Sequence, residues 1–329
     1  MRPILFTIPL PLVGNIEFPA YFTLLTLGFA VATLMTWRES KKIQLDPDLI
    51  IDTNLWMVIW GIIGARALHL VADGHFHEYV NLCLDPKKVK AVDALVSYCN
   101  AASECAPENT FLGIKTGFPY LCDLATHACY PARDCLAAVE VWRGGLAYYG
   151  GLIFASLFCI WFCRKHKMPV SRVGDLAAPA IAFGLFFGRM GCYFNGCCYG
   201  KETHGAFGIT FPRWSSVWRA QLDAGHISVA QGTIPVHATQ LYEAIACLAI
   251  SAILYYGVRP RKKHDWDVFA SLLILYGIAR SVIEIWRDDD RGVFFGVIST
   301  SQIISLPLVA IGLGLIYWTR REARRAAAA

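Results

Sequence analysis

The residues in this sequence whose types and spacing could do chemistry are charged side chains inside otherwise apolar stretches. In YGIARSVIEIWR, Arg280 and Glu284 are four residues apart and Arg287 follows three residues later, so a helix would carry all three on one face. The guanidinium group matches phosphate oxygens in charge and geometry, and a neighbouring carboxylate can hold it in place. This spacing therefore indicates either a phosphate-binding group or a structural ion pair that joins helices.

Two further apolar stretches contain charged residues. Arg189, in FGLFFGRMGCYFNG, is flanked by glycines, which allow a ligand to approach the backbone closely. VHATQLYEA places His237 and Glu243 within two helical turns, and a carboxylate at that depth favours a polar cavity over a simple membrane anchor. Arg66, in GARALH, is either a ligand-binding residue or an interfacial anchor, as Arg189 is when it is considered alone.

The elements that must position these residues are membrane-spanning helices. With 56% hydrophobic and 17% charged residues, the chain has more apolar side chains than one soluble core can bury. A helix needs about 20 mainly apolar residues to cross a bilayer. The sequence therefore predicts an all-α integral membrane protein, a single polytopic domain over residues 1–329 with about seven spans. These spans are roughly 18–37, 49–72, 145–163, 173–190, 237–257, 268–286 and 300–318.

Basic residues predict how the helices are oriented. The clusters RESKK, RKHK, RPRKK and RREARR follow the first, third, fifth and seventh spans, and the positive-inside rule places them in the cytoplasm. The N-terminus then lies outside, the C-terminus is cytoplasmic, and segments 73–142 and 191–236 lie outside. The net charge of +5 sits largely in these flanks, so it indicates attraction to lipid headgroups and no nucleic-acid partner.

The outer segment 73–142 is rich in cysteine. An even number of cysteines in an oxidising compartment predicts disulfides, and the absence of CxxC spacing argues against a zinc ribbon. A redox role for this insert is a weaker alternative. The six cysteines, half of those in the chain, are Cys83, Cys99, Cys105, Cys122, Cys129 and Cys135.

The outer segment 191–236 contains a signature loop followed by a short arm. Cys192, Cys197 and Cys198 have a spacing that matches no common zinc pattern, so we expect a close-packed loop or a disulfide there, with a thiol nucleophile or a metal as the alternatives. SSVWRAQLDAG predicts a helix that begins at Ser215 or Ser216 and stops at Gly225. That helix would lie either in the lipid headgroups or packed on the bundle.

Four motifs together resemble those of bacterial prolipoprotein diacylglyceryl transferases, and they occur in the family's order. They are RGGLAYYGGLI at 143–153, GRMGCYFNGCCYG at 188–200, HATQLYEA at 237–244 and RSVIEIWRDDD at 280–290. Tyr21 and the Gly64-Ala65-Arg66 sequence resemble two further family positions. The resemblance covers nearly all the predicted spans and leaves out the cysteine-rich insert.

This resemblance implies a multi-pass enzyme of the bacterial inner (plasma) membrane. Such an enzyme transfers the diacylglyceryl group of phosphatidylglycerol to the lipobox cysteine of a prolipoprotein, forming a thioether and releasing glycerol phosphate. Its partners would be phosphatidylglycerol, prolipoprotein signal peptides and the lipid bilayer, with no cofactor and no metal. The alternative is a divergent paralogue that binds lipid or transports a substrate, although we find no internal repeat of the kind common in transporters.

The resemblance also assigns site residues. The catalytic set is Tyr149, Arg280, His237 and Glu243. The substrate-binding set is Arg189, Asn195, Gly200, Tyr21, Arg66, Glu284 and Arg287. In these sets Arg189 and Arg280 would bind the phosphoglycerol headgroup, supported by Glu243 and Glu284.

The sequence departs from the family pattern at three positions. Tyr149 stands where the family commonly has a histidine, and Cys192 and Cys197 stand where it commonly has Asn and Glu. A phenol is a poor base at neutral pH. The thiol proton would therefore go to another group such as His237 or Glu243, or positioning and phosphate stabilisation would suffice, or the reaction would differ.

Overall fold

A computed structural model of the chain describes residues 4–10, 14–71, 76–89, 105, 120–125, 127–141, 145–213, 215–287, 293–294 and 298–328. Helices dominate these residues. The chain divides into two compact units, one formed by Met1–Ile51 with Lys167–Ala329 and the other by Asp52–His166. Whether the chain acts as one polytopic domain stays a prediction.

The helices follow one another along the chain with short pairs of strands between them. In order they are α1 (Ala20–Lys42), α2 (Pro47–Val71), α3 (Phe76–Leu84), α4 (Tyr148–Lys165), α5 (Val170–Asn195), α6 (Ser216–Asp223), α7 (Thr239–Ala252), α8 (Asp267–Ile283) and α9 (Thr300–Ala328). A π-helical turn, Ile253–Val258, and a 3₁₀ turn, Arg259–Arg261, extend α7. A 3₁₀ turn, Glu284–Trp286, extends α8.

Six helical segments of the described residues are long and apolar enough to cross a membrane. They are Ala20–Lys42, Pro47–Val71, Val170–Asn195, Thr239–Arg261, Asp267–Trp286 and Gln302–Ala326. These segments coincide with six of the predicted spans, and the remaining one falls on α4, a shorter apolar helix of 18 residues that ends in Arg164 and Lys165. Large apolar side chains such as Trp56 and Trp161 remain about half exposed on these helices, as lipid-facing residues would. The inside–outside orientation stays a prediction.

The core of the first unit lies between α5, α7 and α8. Ala178 and Ala182 of α5 are buried against Ile250, Val268 and their neighbours. Small side chains on α5 allow the helix backbones to approach closely, which is the usual basis of helix packing in membranes. This packing fixes the three helices that carry the charged motifs.

One buried carboxylate ties the start of α8 to α5. Asp175 accepts hydrogen bonds from the backbone N–H groups of Trp266, Val268 and Phe269 at 2.9–3.0 Å. Lys262 pairs with the same carboxylate at 3.3 Å. Asp175 therefore satisfies the N–H groups that a helix start leaves without partners, and it does so from a neighbouring helix.

In the described part of the chain, four short antiparallel strand pairs accompany the helices. They are β1 (Ile4–Leu10) with β2 (Gly14–Pro19), β3 (Tyr120–Asp123) with β4 (Ala128–Pro131), β5 (Gly208–Ile209) with β6 (Val236–His237), and β7 (Val293–Phe294) with β8 (Ile298–Ser299). These strands were not predicted from the sequence. They connect or precede helices and leave the all-α membrane class unchanged.

The arm in segment 191–236 forms the predicted helix, α6. The Ser215 side chain accepts a hydrogen bond from the Trp218 backbone N–H at 3.2 Å, and Gly225 adopts a left-handed conformation just beyond the helix. Val217 and Trp218 are completely buried, and Val217 packs with Phe211. The apolar face of α6 is therefore buried against the protein. Of the two predicted placements, in the lipid headgroups or packed on the protein, the structure shows the second.

The cysteine-rich insert is held by disulfides, as predicted. Cys83 is bonded to Cys135 and Cys105 to Cys129, and Cys122 is also disulfide-bonded. The sixth cysteine, at position 99, lies outside the described residues. Cys105 and Cys129 form a small core with Leu82 and Ala137, so the bridges supplement a core of only a few side chains.

Reduction of the disulfides is expected to loosen the insert before the helices unfold. Each bridge stabilises a small lobe by about 2–4 kcal/mol, mainly by restricting the unfolded chain. Limited proteolysis with and without reductant should give early cleavage within 73–142 only after reduction, while the long helices stay protected. Complete thiol labelling of the insert in unreduced protein would contradict this expectation.

Candidate active site

The signature loop begins where α5 ends. Gly196 takes a left-handed backbone conformation (φ 70°) just after Asn195, a position that favours glycine. The Cys197 N–H then bonds back to the Cys192 carbonyl at 3.2 Å. This turn folds the cysteine pair at 197–198 over the last turn of α5.

The loop is attached to the starts and ends of two other helices. Gln240 and Thr239 of α7 donate hydrogen bonds to the carbonyls of Cys197 and Cys198, at 2.8 and 2.9 Å. The Gly200 N–H bonds to the His237 carbonyl at 2.9 Å. Gly200 also forms an antiparallel bridge with Arg287, beyond α8. Three motifs that are far apart in sequence therefore meet within the first unit.

Glu243 lies at the centre of a buried charged cluster. Its Oε1 pairs with Arg189 Nη2 at 2.8 Å and accepts a hydrogen bond from the Tyr276 hydroxyl at 3.1 Å. Its Oε2 is 3.7 Å from Arg287 Nη1. The Glu243 side chain is only 2% exposed, so α7 brings a carboxylate into contact with groups from α5 and from the end of α8.

The second carboxylate of the cluster is Glu284. Arg280 Nη1 lies 2.7 Å from its Oε2, which confirms the predicted i,i+4 pair, and Arg287 Nε lies 3.7 Å from the same oxygen. The Arg280 and Arg287 side chains are 7% and 2% exposed. The described part of this cluster thus holds three guanidinium groups and two carboxylates in a low-dielectric setting, where charged groups interact strongly.

Arg189 is the most accessible member of this cluster. Its side chain is 18% exposed, against 2–9% for the other four charged members. It lies two residues before Gly191, against which Tyr21 of α1 packs. An anion that enters the cluster would therefore meet Arg189 first.

The three cysteines of the loop are grouped beside this cluster. The sulfur atoms of Cys192, Cys197 and Cys198 all lie within 4.8 Å of one another. Asn195 Nδ2 donates to the Cys197 sulfur at 3.6 Å. Hydrogen bonds from Cys192 and Cys197, together with the charge of Arg189, lower the pKa of the Cys198 thiol.

His237 is placed at the entrance to α7. Its Nδ1 shares a hydrogen bond of 3.1 Å with the hydroxyl of Tyr242, and the two rings meet edge to face. The His237 backbone forms the link to Gly200 described above. The imidazole is therefore held by the helix that follows it, close in sequence to Glu243.

Two predicted site residues, Arg66 and Tyr149, lie in the other unit. Arg66 donates hydrogen bonds to the carbonyls of Ala137, Ala138 and Gly145, so its guanidinium group is committed to the backbone at the end of the insert and just beyond it. This arrangement favours a structural role for Arg66. Tyr149, on the first turn of α4, is 42% exposed.

Two residues that support the site, Tyr276 and Thr239, were not predicted from the sequence. Tyr276 lies one helical turn before Arg280, so the same helical periodicity that paired Arg280 with Glu284 would have placed it on that face. Thr239, which is completely buried, had no comparable signal because its partner is a carbonyl 41 residues away.

Replacing Gly200 with alanine is expected to destabilise the site. A Cβ atom there would overlap the Trp286 carbonyl oxygen and come within 2.8 Å of Thr239. Overpacking of this kind costs about 1–3 kcal/mol. We expect a lower midpoint of thermal unfolding and lower activity. Gly232→Ala, in the same outer segment but with no atom within 4 Å, is the matched control. Equal stability of the two variants would contradict the close contact.

Long apolar helices with a buried guanidinium–carboxylate cluster define a multi-pass membrane protein with charged side chains in its interior. The family model described as prolipoprotein diacylglyceryl transferase matches residues 7–93 and 106–318. The chain belongs to that family.

Curated relatives support the same assignment. A protein of Stenotrophomonas maltophilia is 33% identical over 56% of this chain and 65% of its own length. A protein of Xylella fastidiosa is 36% identical, with 58% and 68% covered, and one of Xanthomonas oryzae pv. oryzae is 31% identical, with 64% and 72% covered. All three are named phosphatidylglycerol–prolipoprotein diacylglyceryl transferase. These names favour a transferase over the lipid-binding or transporter alternatives.

Proposed function

We propose that this protein transfers the diacylglyceryl group of phosphatidylglycerol to the lipobox cysteine of prolipoproteins, in the inner membrane. The observation that carries the proposal is the buried cluster in which two glutamates hold three arginine side chains. Phosphatidylglycerol is a phosphodiester with a negative charge, and guanidinium groups match phosphate oxygens in charge and geometry. The names of the relatives support the same substrates.

In the proposed reaction the cysteine sulfur attacks the glyceryl carbon that carries the phosphate ester. A carbon–sulfur bond forms, the carbon–oxygen bond breaks, and glycerol phosphate leaves with the electron pair. Charge builds up on the departing phosphate, and preorganised positive groups in a dry site stabilise such charge strongly. We assign this role to Arg189 and Arg280. Arg287 supports them through Glu243 and Glu284, each 3.7 Å from its guanidinium group.

The carboxylates are assigned to positioning. Glu243 engages Arg189 and Tyr276 through one oxygen and faces Arg287 with the other, so it fixes the relative placement of two guanidinium groups. Glu284 does the same for Arg280 and Arg287. Both arginines are thereby held in place before the lipid arrives, which lowers the reorganisation cost of the reaction.

We assign acceptance of the thiol proton to His237. In the tautomer whose Nδ1–H donates to the Tyr242 hydroxyl, Nε2 is left as the acceptor. Both oxygens of Glu243 already face cationic or hydroxyl groups, so Glu243 is geometrically less available. Asn195, Gly200 and Tyr21 shape the loop and the wall next to Arg189, and Arg66 anchors the segment that leads to Tyr149.

Tyr149, a residue that is 42% exposed, is expected to orient substrate through its hydroxyl without taking the proton. Tyr149→Phe should lower turnover by about tenfold, the value of one hydrogen bond. Tyr148→Phe, which removes the neighbouring exposed hydroxyl, is the control and should have little effect. A loss of several thousandfold in Tyr149→Phe would instead assign Tyr149 an obligatory chemical role. Tyr149→His should keep activity if the position accepts the family's usual residue.

Two measurements test the proposed function. The chain should restore growth to a bacterial strain depleted of its own diacylglyceryl transferase. The purified protein should convert phosphatidylglycerol and a lipobox peptide to the thioether, with equimolar release of glycerol phosphate. Binding of phosphatidylglycerol without release of glycerol phosphate would favour the lipid-binding alternative, and addition of a nucleic acid should change neither result.

A further inference from the structure

The three cysteines of the signature loop have no role in the proposed reaction, yet the fold brings them together. Their spacing in sequence did not suggest a metal site, because C-x4-C-C matches no common zinc pattern. The left-handed turn at Gly196 reverses the chain after α5 and returns Cys197 and Cys198 to Cys192. The resulting sulfur triangle is a feature of the folded chain and not of the sequence pattern.

We propose that Cys192, Cys197 and Cys198 bind one thiophilic metal ion, Cu(I) or Zn(II), through their three sulfur atoms. Metal–sulfur bonds of about 2.3 Å in a trigonal arrangement place neighbouring sulfurs about 4 Å apart. The observed limit of 4.8 Å is within a small side-chain adjustment of that geometry. Thiolate ligands select soft or borderline ions of this kind.

The surroundings fit an anionic metal–thiolate group. Binding replaces three S–H bonds with three metal–sulfur bonds and releases the protons to solvent, with no change in oxidation state. The product carries net negative charge, and the guanidinium groups of Arg189 and Arg287 interact electrostatically with the Cys198 sulfur. The Asn195 amide donates to the Cys197 sulfur, a contact of the kind that orients metal ligands.

A disulfide is the competing outcome, and the geometry favours it less. Cys197 and Cys198 are adjacent, so their Cα atoms lie about 3.8 Å apart, closer than the roughly 4.4–6.8 Å of ordinary disulfides. A bridge from Cys192 to either of them would use two sulfurs and leave the third aside. In the same structure the described cysteines of the insert are bridged, whereas these three are present as thiols.

The site also has a structural consequence. Cys192 belongs to α5, and the carbonyls of Cys197 and Cys198 are held by Gln240 and Thr239 of α7. An ion bound by the three sulfurs would cross-link the end of α5 to the loop that α7 holds. We therefore expect metal binding to raise the thermal stability of the full-length protein.

The test uses full-length protein purified in detergent under anaerobic conditions without reductant, so that the insert disulfides persist. Titration with Cu(I) and, separately, Zn(II) against a competing chelator should give one tightly bound ion per chain. X-ray absorption should show three metal–sulfur bonds near about 2.3 Å, with an added light-atom ligand if Zn(II) is four-coordinate. Cd(II) as a probe should give thiolate-to-metal charge-transfer absorption.

Variants and labelling complete the test. Cys192→Ser, Cys197→Ser and Cys198→Ser should each lower the affinity at least about tenfold, by the loss of one ligand, while Cys159→Ser in α4 should leave it unchanged. In the unmutated protein, metal should protect these three cysteines from alkylation, which keeps the test valid if a variant misfolds. Absence of stoichiometric binding, binding that survives all three substitutions, or an intact-mass deficit from a disulfide within the triad would overturn the proposal. None of these readouts depends on transferase activity.

Discussion

Replacing Arg280 with alanine is expected to lower kcat/KM for the lipobox peptide and phosphatidylglycerol by about 10²–10³-fold, the usual effect of removing one preorganised group that stabilises developing charge. The same loss is expected for Arg189→Ala. Arg280 pairs with Glu284 at 2.7 Å inside the apolar bundle. Once the Arg280 side chain is removed, the cation that still pairs with Glu284 among the described residues is Arg287, at 3.7 Å. Stability must therefore be measured beside turnover.

Lysine should not replace either arginine. Arg280→Lys keeps the charge but loses the planar fork that binds two phosphate oxygens at once, so we expect most of the loss to persist. Arg259→Ala is the matched control, because its side chain is 18% exposed like that of Arg189 and pairs at 2.8 Å with a carboxylate, Glu39. It should affect stability and spare turnover. Wild-type turnover in both Arg189→Ala and Arg280→Ala would exclude the mechanism.

The parts of this fold that sequence predicts are those set by local periodicity. The Arg280–Glu284 pair follows from their spacing on one helix, and α6 follows from a serine cap and a terminal glycine. The apolar spans follow from length and composition. In each case the interacting residues are only a few positions apart, or the prediction depends on the total apolar content of one segment.

The parts that sequence did not predict depend on tertiary contacts. Glu243 was singled out as an unexpected carboxylate, but its pairing with Arg189 is between residues on two different helices and has no sequence period. Substrate binding by Arg66 stays a prediction, and the sequence did not predict the contacts, more than 70 residues away, that hold its guanidinium group. The strand pair β1–β2 was missed because prolines interrupt its short apolar run.

The cysteine triad is a case where the same residues support opposite inferences. The spacing of Cys192, Cys197 and Cys198 matches no common metal motif. Such motifs are spacings that bring ligands together in one particular local backbone structure. The turn at Gly196 changes the scaffold and brings the three sulfurs together. The backbone conformation of Gly196 thus places the three sulfur atoms close enough to bind one metal ion, which the sequence spacing did not indicate.

Glu243→Gln is expected to lower turnover strongly through Arg189, although Glu243 itself touches no reacting atom in the proposed mechanism. Glutamine keeps the size of the side chain and can still accept the Tyr276 hydrogen bond, but it removes the charge that holds Arg189 at 2.8 Å. Removing one partner of a buried ion pair costs on the order of 3–5 kcal/mol, less here because Arg189 is partly exposed. Glu39→Gln is the matched control: Glu39 accepts a hydrogen bond from Tyr255 at 2.7 Å and pairs with Arg259 at 2.8 Å, as Glu243 does with Tyr276 and Arg189.

A double-mutant cycle separates a positioning role from a chemical one. If Glu243 acts by placing Arg189, then Glu243→Gln should cause little further loss of kcat/KM once Arg189 is alanine, because the group that it positions is gone. If Glu243 accepted the thiol proton, its effect would persist in the Arg189→Ala background and the pH profile of kcat would change. Glu39→Gln should lower the unfolding midpoint and leave turnover per folded molecule unchanged. Additive losses from Arg189→Ala and Glu243→Gln would therefore reject a role of Glu243 that acts through Arg189, and a changed pH profile of kcat would assign Glu243 as the base.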